Sequence, residues 1–238
     1  MKVKSKKESD HKKILDKKVW LFDFDGVIVP GPTIKDHEQF ISNAIELISD
    51  FRNISIEEGS RLYASLQLEG KTNLNDFFLK NFPNIEKKVM FSRVFGEYNK
   101  KYKKMKPHDS ITKGLEILRR NKIALGILTN NTGDIVKTVI ERFKYSKYFN
   151  SIIAYEELYP FLKPEEFSYK IATKSFGVAP EETVFIDDSE ENVRASKKLG
   201  ILSIHITDKK ADTDNEVADF TFENTRNLLK AVVREITC

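Results

Sequence analysis

Four short polar clusters stand at the ends of apolar runs. Asp23-Phe24-Asp25-Gly26 closes the run that starts at Val19, and Thr129-Asn130 follows Ile123–Leu128. Asp187-Asp188 follows Thr183–Ile186, and Lys163, ahead of Pro164, comes soon after the short run Ser151–Tyr155. Four carboxylates cannot crowd together unless a cation neutralises them. Hard oxygen ligands in this number suit Mg²⁺, which keeps waters and accepts a phosphate oxygen. A hydroxyl, an amide and an ammonium beside such an ion suit a phosphate dianion, whose transition-state charge pre-placed donors stabilise. One carboxylate next to phosphorus can act as nucleophile and divide hydrolysis into two steps. A second, two residues on, can protonate the leaving oxygen and later deprotonate water. Gly26 lets the backbone approach a phosphate closely.

Taken singly, each cluster has an ordinary reading. Asp25-Gly26 suits a turn, Thr129–Thr132 and Asp187–Ser189 suit helix N-caps, and Lys163-Pro164 is a common loop dipeptide. Together, at successive strand ends, they favour chemistry.

The elements that must carry these clusters follow from periodicity. Val19–Phe24 is a nearly continuous apolar run, the pattern of a strand buried on both faces. Similar runs recur at Ile123–Thr129, Ser151–Tyr155, Thr183–Ile186 and Ile201–Ile206. Helical patterns alternate with them: Ile111, Leu115 and Leu118, capped by Asp109 or Ser110; Ile135, Val139 and Phe143; Phe167, Ile171 and Ser175; Val193, Ala195 and Leu199, ending at Gly200; and Leu228, Leu229, Val232 and Ile236. This alternation predicts an α/β fold, a doubly wound Rossmann-like parallel sheet. In such sheets ligands bind outside the carboxyl ends of the strands, where the four clusters converge.

Residues 31–105 break the alternation. They carry a helical stripe at Phe40, Ile41, Ala44, Ile45 and Ile48, a capping box at Ser55–Glu58, and further helices around Leu74–Phe78 and Val89–Tyr98. The expected organisation is a catalytic core of 19–30 and 106–238 with an inserted all-helical domain at 31–105. Ahead of them lies a basic, flexible leader at 1–18. That leader holds eight lysines against three carboxylates, so the rest of the chain carries a charge of −1 out of the total +4. Basicity is therefore no property of the folded body, and the leader has no aromatic residue on which bases could stack, which argues against a nucleic-acid partner. The single cysteine, Cys238, excludes a disulfide framework within the chain. No apolar stretch of membrane-spanning or signal-peptide length is present, and the cytoplasm is the expected location.

The four clusters, in this order, resemble the motifs of the haloacid dehalogenase-like hydrolases: Asp23-Phe24-Asp25-Gly26-Val27; Leu128-Thr129-Asn130; Lys163-Pro164; and Phe185–Ser189 followed by Asn192, Ala195 and Gly200. The likeness runs from about residue 19 to 206. A helical insertion straight after the first motif looks like the cap of the subfamily that includes phosphoglycolate phosphatases, sugar-phosphate phosphatases, β-phosphoglucomutases and pyrimidine 5′-nucleotidases. Tyr63, Gly70 and the Phe185–Gly200 stretch look like the pyrimidine 5′-nucleotidase or phosphoglycolate phosphatase branch. The resemblance implies that Asp23 is the nucleophile and a metal ligand. Asp25 would be the general acid/base and lend its carbonyl to the metal. Thr129 and Asn130 would hold the phosphoryl group, and Lys163 would bridge nucleophile and phosphate. Asp188 would bind the metal directly, with Asp187 acting directly or through water. Valine at 27 departs from the threonine common in family phosphatases, without touching the chemistry. The dehalogenases of the family lack the second aspartate, so Asp25 argues for phosphate.

Substrate choice is expected in the insertion, with Arg61, Tyr63, Gln67, Lys71 and Asn73 as candidates around Glu69-Gly70-Lys71. The expected function is Mg²⁺-dependent hydrolysis of a small phosphorylated metabolite through an aspartyl-phosphate. A phosphomutase, a non-catalytic binder of phosphorylated ligands and a phosphatase of nucleic-acid ends are the alternatives.

Overall fold

The computed structural model describes residues 12–68, 93, 100–208 and 216–237. The chain divides into two compact units, Met1–Gly31 with Lys106–Cys238, and Pro32–Met105. In chain order the first unit contributes β1 (Val19–Phe22). The second contributes α1 (Ile34–Arg52) and α2 (Ile56–Leu68). The first unit then resumes with α3 (Asp109–Arg120), β2 (Ala124–Leu128), α4 (Gly133–Arg142), β3 (Ser151–Ile153), α5 (Tyr155–Leu158), α6 (Glu166–Phe176), β4 (Thr183–Asp187), α7 (Glu190–Lys198), β5 (Leu202–Ile206), β6 (Phe220–Phe222) and α8 (Thr225–Thr237).

The six strands form one sheet in the order β3-β2-β1-β4-β5-β6, every pair parallel. The chain steps from β1 outward to β3, then returns to place β4 on the other side of β1. The switch point therefore lies between β1 and β4, where an open α/β sheet offers a crevice. β1 is central and wholly buried, with Trp20, Leu21 and Phe22 at 0% exposure. Successive side chains point to opposite faces. Val19 and Leu21 join a core with Leu128, Tyr169 and Phe185. The Trp20 and Phe22 rings lie tilted against each other at 6.1 Å, and Phe149 meets Phe22 edge-on. Burying each such side chain contributes about 1.5–3 kcal/mol, so the end of β1 is a rigid platform.

Several boundaries differ from the sequence expectation. The run expected as a strand to Tyr155 stops at Ile153, because Glu157 reaches back to the Ala154 N–H (3.0 Å) and starts α5. β6 was not expected at all. α3 is capped by His108, whose Nδ1 accepts from the Ser110 N–H, in place of Asp109 or Ser110. The buried face of α6 is Ser168, Tyr169, Ala172 and Thr173, not Phe167, which is half-exposed. Within the segment read as leader, residues 12–15 are helical and Ile14 is fully buried. There Lys17 Nζ donates to the Glu181 carbonyl (2.6 Å).

In the second unit, Thr33 and Asp36 cap α1 reciprocally, and Ser55 and Glu58 do the same for α2. Ala44, Leu47, Ile48 and Tyr63 are buried there. The helices expected around 74–78 and 89–98 lie outside the described residues. Among the described residues no helix is long and apolar enough to cross a membrane.

Candidate active site

β1 ends at Phe22, and the Asp23 N–H still continues the ladder by donating to the Ile186 carbonyl (2.8 Å). Asp23 is thereby fixed beside the end of β4. Lys163 Nζ lies 2.9 Å from Asp23 Oδ1 and 2.6 Å from Asp187 Oδ2, bridging the two sides of the switch point. All three side chains are buried.

Three asparagine amides hold this charged set. Asn130 Nδ2 donates to the Lys163 carbonyl and its Oδ1 accepts the Lys163 N–H, both at 2.9 Å. Asn131 Nδ2 donates to Asp25 Oδ2 at 3.0 Å. Asn192 Nδ2 lies 3.2 and 3.1 Å from the two oxygens of Asp187. Asp187 Oδ1 also accepts the Ser189 N–H (2.8 Å), so both oxygens of this fully buried carboxylate are engaged. Tyr169 in turn donates its hydroxyl to the Asn192 carbonyl (2.8 Å). Burial, then Asp187 and Asp23, raise the Tyr169 hydroxyl, which keeps its proton for that bond. Thr129 is buried, and its Oγ1 accepts the Asn131 N–H (3.1 Å).

Gly26 has φ +75°, and a Cβ added there would stand 2.1 Å from Asp188 Oδ2. The sequence suggested that Gly26 makes room for a phosphate. In the structure the glycine makes room for the Asp188 carboxylate. Val27, where the family often has threonine, is buried, and its carbonyl accepts from Thr225 Oγ1 (2.8 Å), which ties this loop to α8.

Crowded negative charge is costly. Burial pushes Asp23 well above the usual carboxylate range; Lys163 opposes this and Asp187 adds to it. Burial, then Asp187, pushes Asp188 up to about 6. Burial alone would lower the Lys163 ammonium, but Asp187 and Asp23 outweigh it and raise it, so the lysine stays charged. Asp23, Asp187 and Asp188 each place an oxygen within 4.8 Å of the others. An all-oxygen donor set with excess negative charge fits a hard divalent cation such as Mg²⁺.

Residues 20–206 match the haloacid dehalogenase-like hydrolase family. The chain belongs to this family. Over 118 residues this haloacid dehalogenase-like hydrolase is 27% identical to phosphoglycolate phosphatase of Escherichia coli (strain K12), covering 50% of this chain and 46% of the relative. The same identity and coverage hold for phosphoglycolate phosphatase of Salmonella typhimurium. The chain thus spans about half the length of the curated relatives it matches. In fold it is similar to a HAD phosphatase from Thermococcus onnurineus, with TM-score 0.62, 23% identity, and coverage of 90% of this chain and 96% of that one. It is also similar to L-2-haloacid dehalogenase from Xanthobacter autotrophicus, with TM-score 0.57, 16% identity, and coverage of 92% and 98%.

The site residues expected from the sequence of this hydrolase fall into two groups. Asp23, Asp25, Gly26, Thr129, Asn130, Lys163, Asp187 and Asp188 all lie in the first unit, at the carboxyl edge of the sheet. Of the insertion candidates, Arg61 is on α2 in an ion pair with Glu57 (2.5 Å), and Tyr63 is buried within the helical unit. Gln67 falls within the backbone span of α2, while Lys71 and Asn73 lie outside the described residues. Asn131 and Asn192 were missed as site residues. Asn192 stood in the fourth motif without a role assigned to it, and Asn131, beside a helix start, reads first as a cap.

Proposed function

We propose that the chain is a Mg²⁺-dependent phosphatase that hydrolyses a small phosphomonoester through an aspartyl-phosphate on Asp23. The observation that carries this reading is the Lys163 ammonium held between Asp23 and Asp187, with Asp25 two residues from the nucleophile. Lys163 opposes the protonation of Asp23 that burial favours, and it offers hydrogens to a phosphoryl oxygen. Thr129 accepts the Asn131 N–H on its oxygen, which leaves its own hydrogen to donate to phosphate. Asn130 contributes by fixing the backbone of Lys163.

In the first step an Asp23 oxygen bonds to phosphorus while the ester P–O bond breaks. That bond's electron pair leaves on the alcohol oxygen, which takes a proton from Asp25. In the second step water attacks phosphorus, its proton returns to Asp25, and the Asp23–phosphorus bond breaks to release inorganic phosphate. Asp23, Asp188 and the backbone at Asp25 would hold Mg²⁺, which when bound neutralises phosphate charge as it redistributes. Asp187 has both oxygens engaged and serves to position Lys163. The similarity to phosphoglycolate phosphatases over half the chain favours a small anionic phosphate ester as substrate. In this reading the inserted helical unit acts as a cap and selects it. The lack of a described membrane-crossing helix and the single cysteine are consistent with a cytoplasmic enzyme.

The test is a panel of phosphorylated metabolites and 4-nitrophenyl phosphate assayed with and without Mg²⁺, using the native chain and Asp23→Asn. Mg²⁺-dependent release of phosphate that Asp23→Asn abolishes is expected. Equal turnover by Asp23→Asn would rule out the covalent mechanism, and silence across the whole panel would rule out the phosphatase.

A further inference from the structure

The general acid in this reading, Asp25, is held by a residue whose own orientation is locked on every side. Asn131 lies three residues past the end of β2, just ahead of Thr132, the N-cap of α4. Its backbone N–H donates to Thr129 Oγ1 (3.1 Å), and its carbonyl accepts the Tyr155 N–H (2.9 Å). Its side-chain Oδ1 accepts the Thr132 N–H at 2.8 Å. A backbone N–H can only donate, so the oxygen of the amide must face Thr132 and the nitrogen must face the other way. The nitrogen meets Asp25 Oδ2 at 3.0 Å. The amide cannot flip without putting two donors against each other at Thr132 and two acceptors against each other at Asp25.

This fixed donor sets the position of one oxygen of Asp25. Asn131 also restrains the carboxyl group's rotation, which would otherwise be broad and twofold. We propose that Asn131 is the positioning residue of the general acid. By holding Asp25 Oδ2, it orients the carboxyl group for proton transfer with the leaving alcohol, and later with the attacking water. Asn131 touches no reacting atom. It acts through Asp25, and the proposal rests on the phosphatase reading above.

That role has a chemical signature. A 4-nitrophenolate leaves without a proton, whereas an alkoxide leaves only as it is protonated. The ratio kcat/KM reports the steps up to departure of the alcohol and omits the later hydrolysis, in which Asp25 serves both substrates alike. The experiment compares kcat/KM for 4-nitrophenyl phosphate and glycerol phosphate, with Mg²⁺, in the native chain, Asn131→Ala and Asn131→Asp. Asn131→Asp keeps an oxygen for the Thr132 N–H and the shape of the side chain, so it decides the matter should Asn131→Ala fail to fold; thermal unfolding checks both. Glycerol phosphate should lose about 10²-fold, the cost of misplacing a catalytic group by about an ångström. The aryl ester should stay within about threefold of the native value, since protonation contributes little there. Equal losses on the two esters would mark Asn131 as merely structural, and no loss on either would also overturn the proposal. A native chain that turns over neither ester would instead overturn the phosphatase reading itself.

Discussion

Gly26→Ala should disable the metal site while leaving the fold standing. Two costs arise. The first is backbone: at φ +75° an L-residue pays about 1–2 kcal/mol relative to glycine. For a chain of this size that amounts to a fall of about 2–8 °C in Tm. The second is local. The new Cβ would lie 2.1 Å from Asp188 Oδ2 and 2.3 Å from its Cγ, where ordinary contact begins at 3.4 Å. The carboxylate must therefore retreat by roughly 1.3 Å, the difference between the contact and ordinary distances. A displacement of that size is worth about 10²-fold in rate when it disturbs reacting groups. Titration with Mn²⁺ followed by electron paramagnetic resonance reads the affinity directly, and phosphate release reads the rate. Repeating Gly26→Ala in an Asp188→Gly background isolates the two costs: the steric part should vanish and only the backbone part should persist in the melting temperature. A Gly26→Ala protein with native metal affinity and native kcat would refute the claim that this glycine exists to admit Asp188.

Asn192→Ala should destabilise the metal-free protein by about 1–3 kcal/mol, because the fully buried Asp187 loses a donor shared by both its oxygens; urea unfolding measures it, and a change below 0.5 kcal/mol, the usual ceiling for surface substitutions, would be incompatible with the buried network. The carboxylates also set a pH dependence. Asp188 is pushed up to about 6 and Asp23 is raised as well, so in the absence of metal the folded state holds protons that the unfolded state has already released above about pH 4. The sign is then negative: metal-free stability from Asp23 falls as pH rises from about 4 towards 8, and from Asp188 as pH rises from about 4 through 6. Metal affinity should move oppositely, weakening below about pH 6 as protons compete for Asp188. Differential scanning calorimetry in chelator, with Asp188→Asn as the comparison, should show the native chain losing more Tm across that interval; parallel profiles would contradict it.

Much of the fold was legible because buried parallel strands announce themselves as apolar runs, and because the chemistry sits where those runs end. That Asp23 and Asp187 meet follows from the pairing of β1 with β4, whereas Lys163 reaches them from the loop after α5. What escaped the sequence had physical causes. β6 is three residues long and only partly buried, so Phe-Thr-Phe carries too little periodicity to register. The face of α6 was misjudged because Phe167 is exposed beside Phe161 while Tyr169 packs edge-on against Phe185. The tasks of Asn130 and Asn131 depend on partners far along the chain, Lys163 and Asp25, and no local pattern separates such an asparagine from a helix cap. Gly26 was legible as a special backbone position, but its partner Asp188 was not.

The central place of β1 has a consequence for how the chain acquires its structure. Val19 pairs with Ala124 on one side and with Thr183 on the other. A ribosome adding about 5–20 residues per second needs about 5–20 seconds to reach the first partner, and longer to reach the second. Throughout that interval Val-Trp-Leu-Phe is a nascent apolar strand with neither of its neighbours yet synthesised. Contacts of such long sequence separation also slow the folding of the finished chain. This wholly buried strand is thus the first strand made and waits longest for its neighbours, which makes residues 19–22 the segment on which a chaperone has the longest opportunity to act.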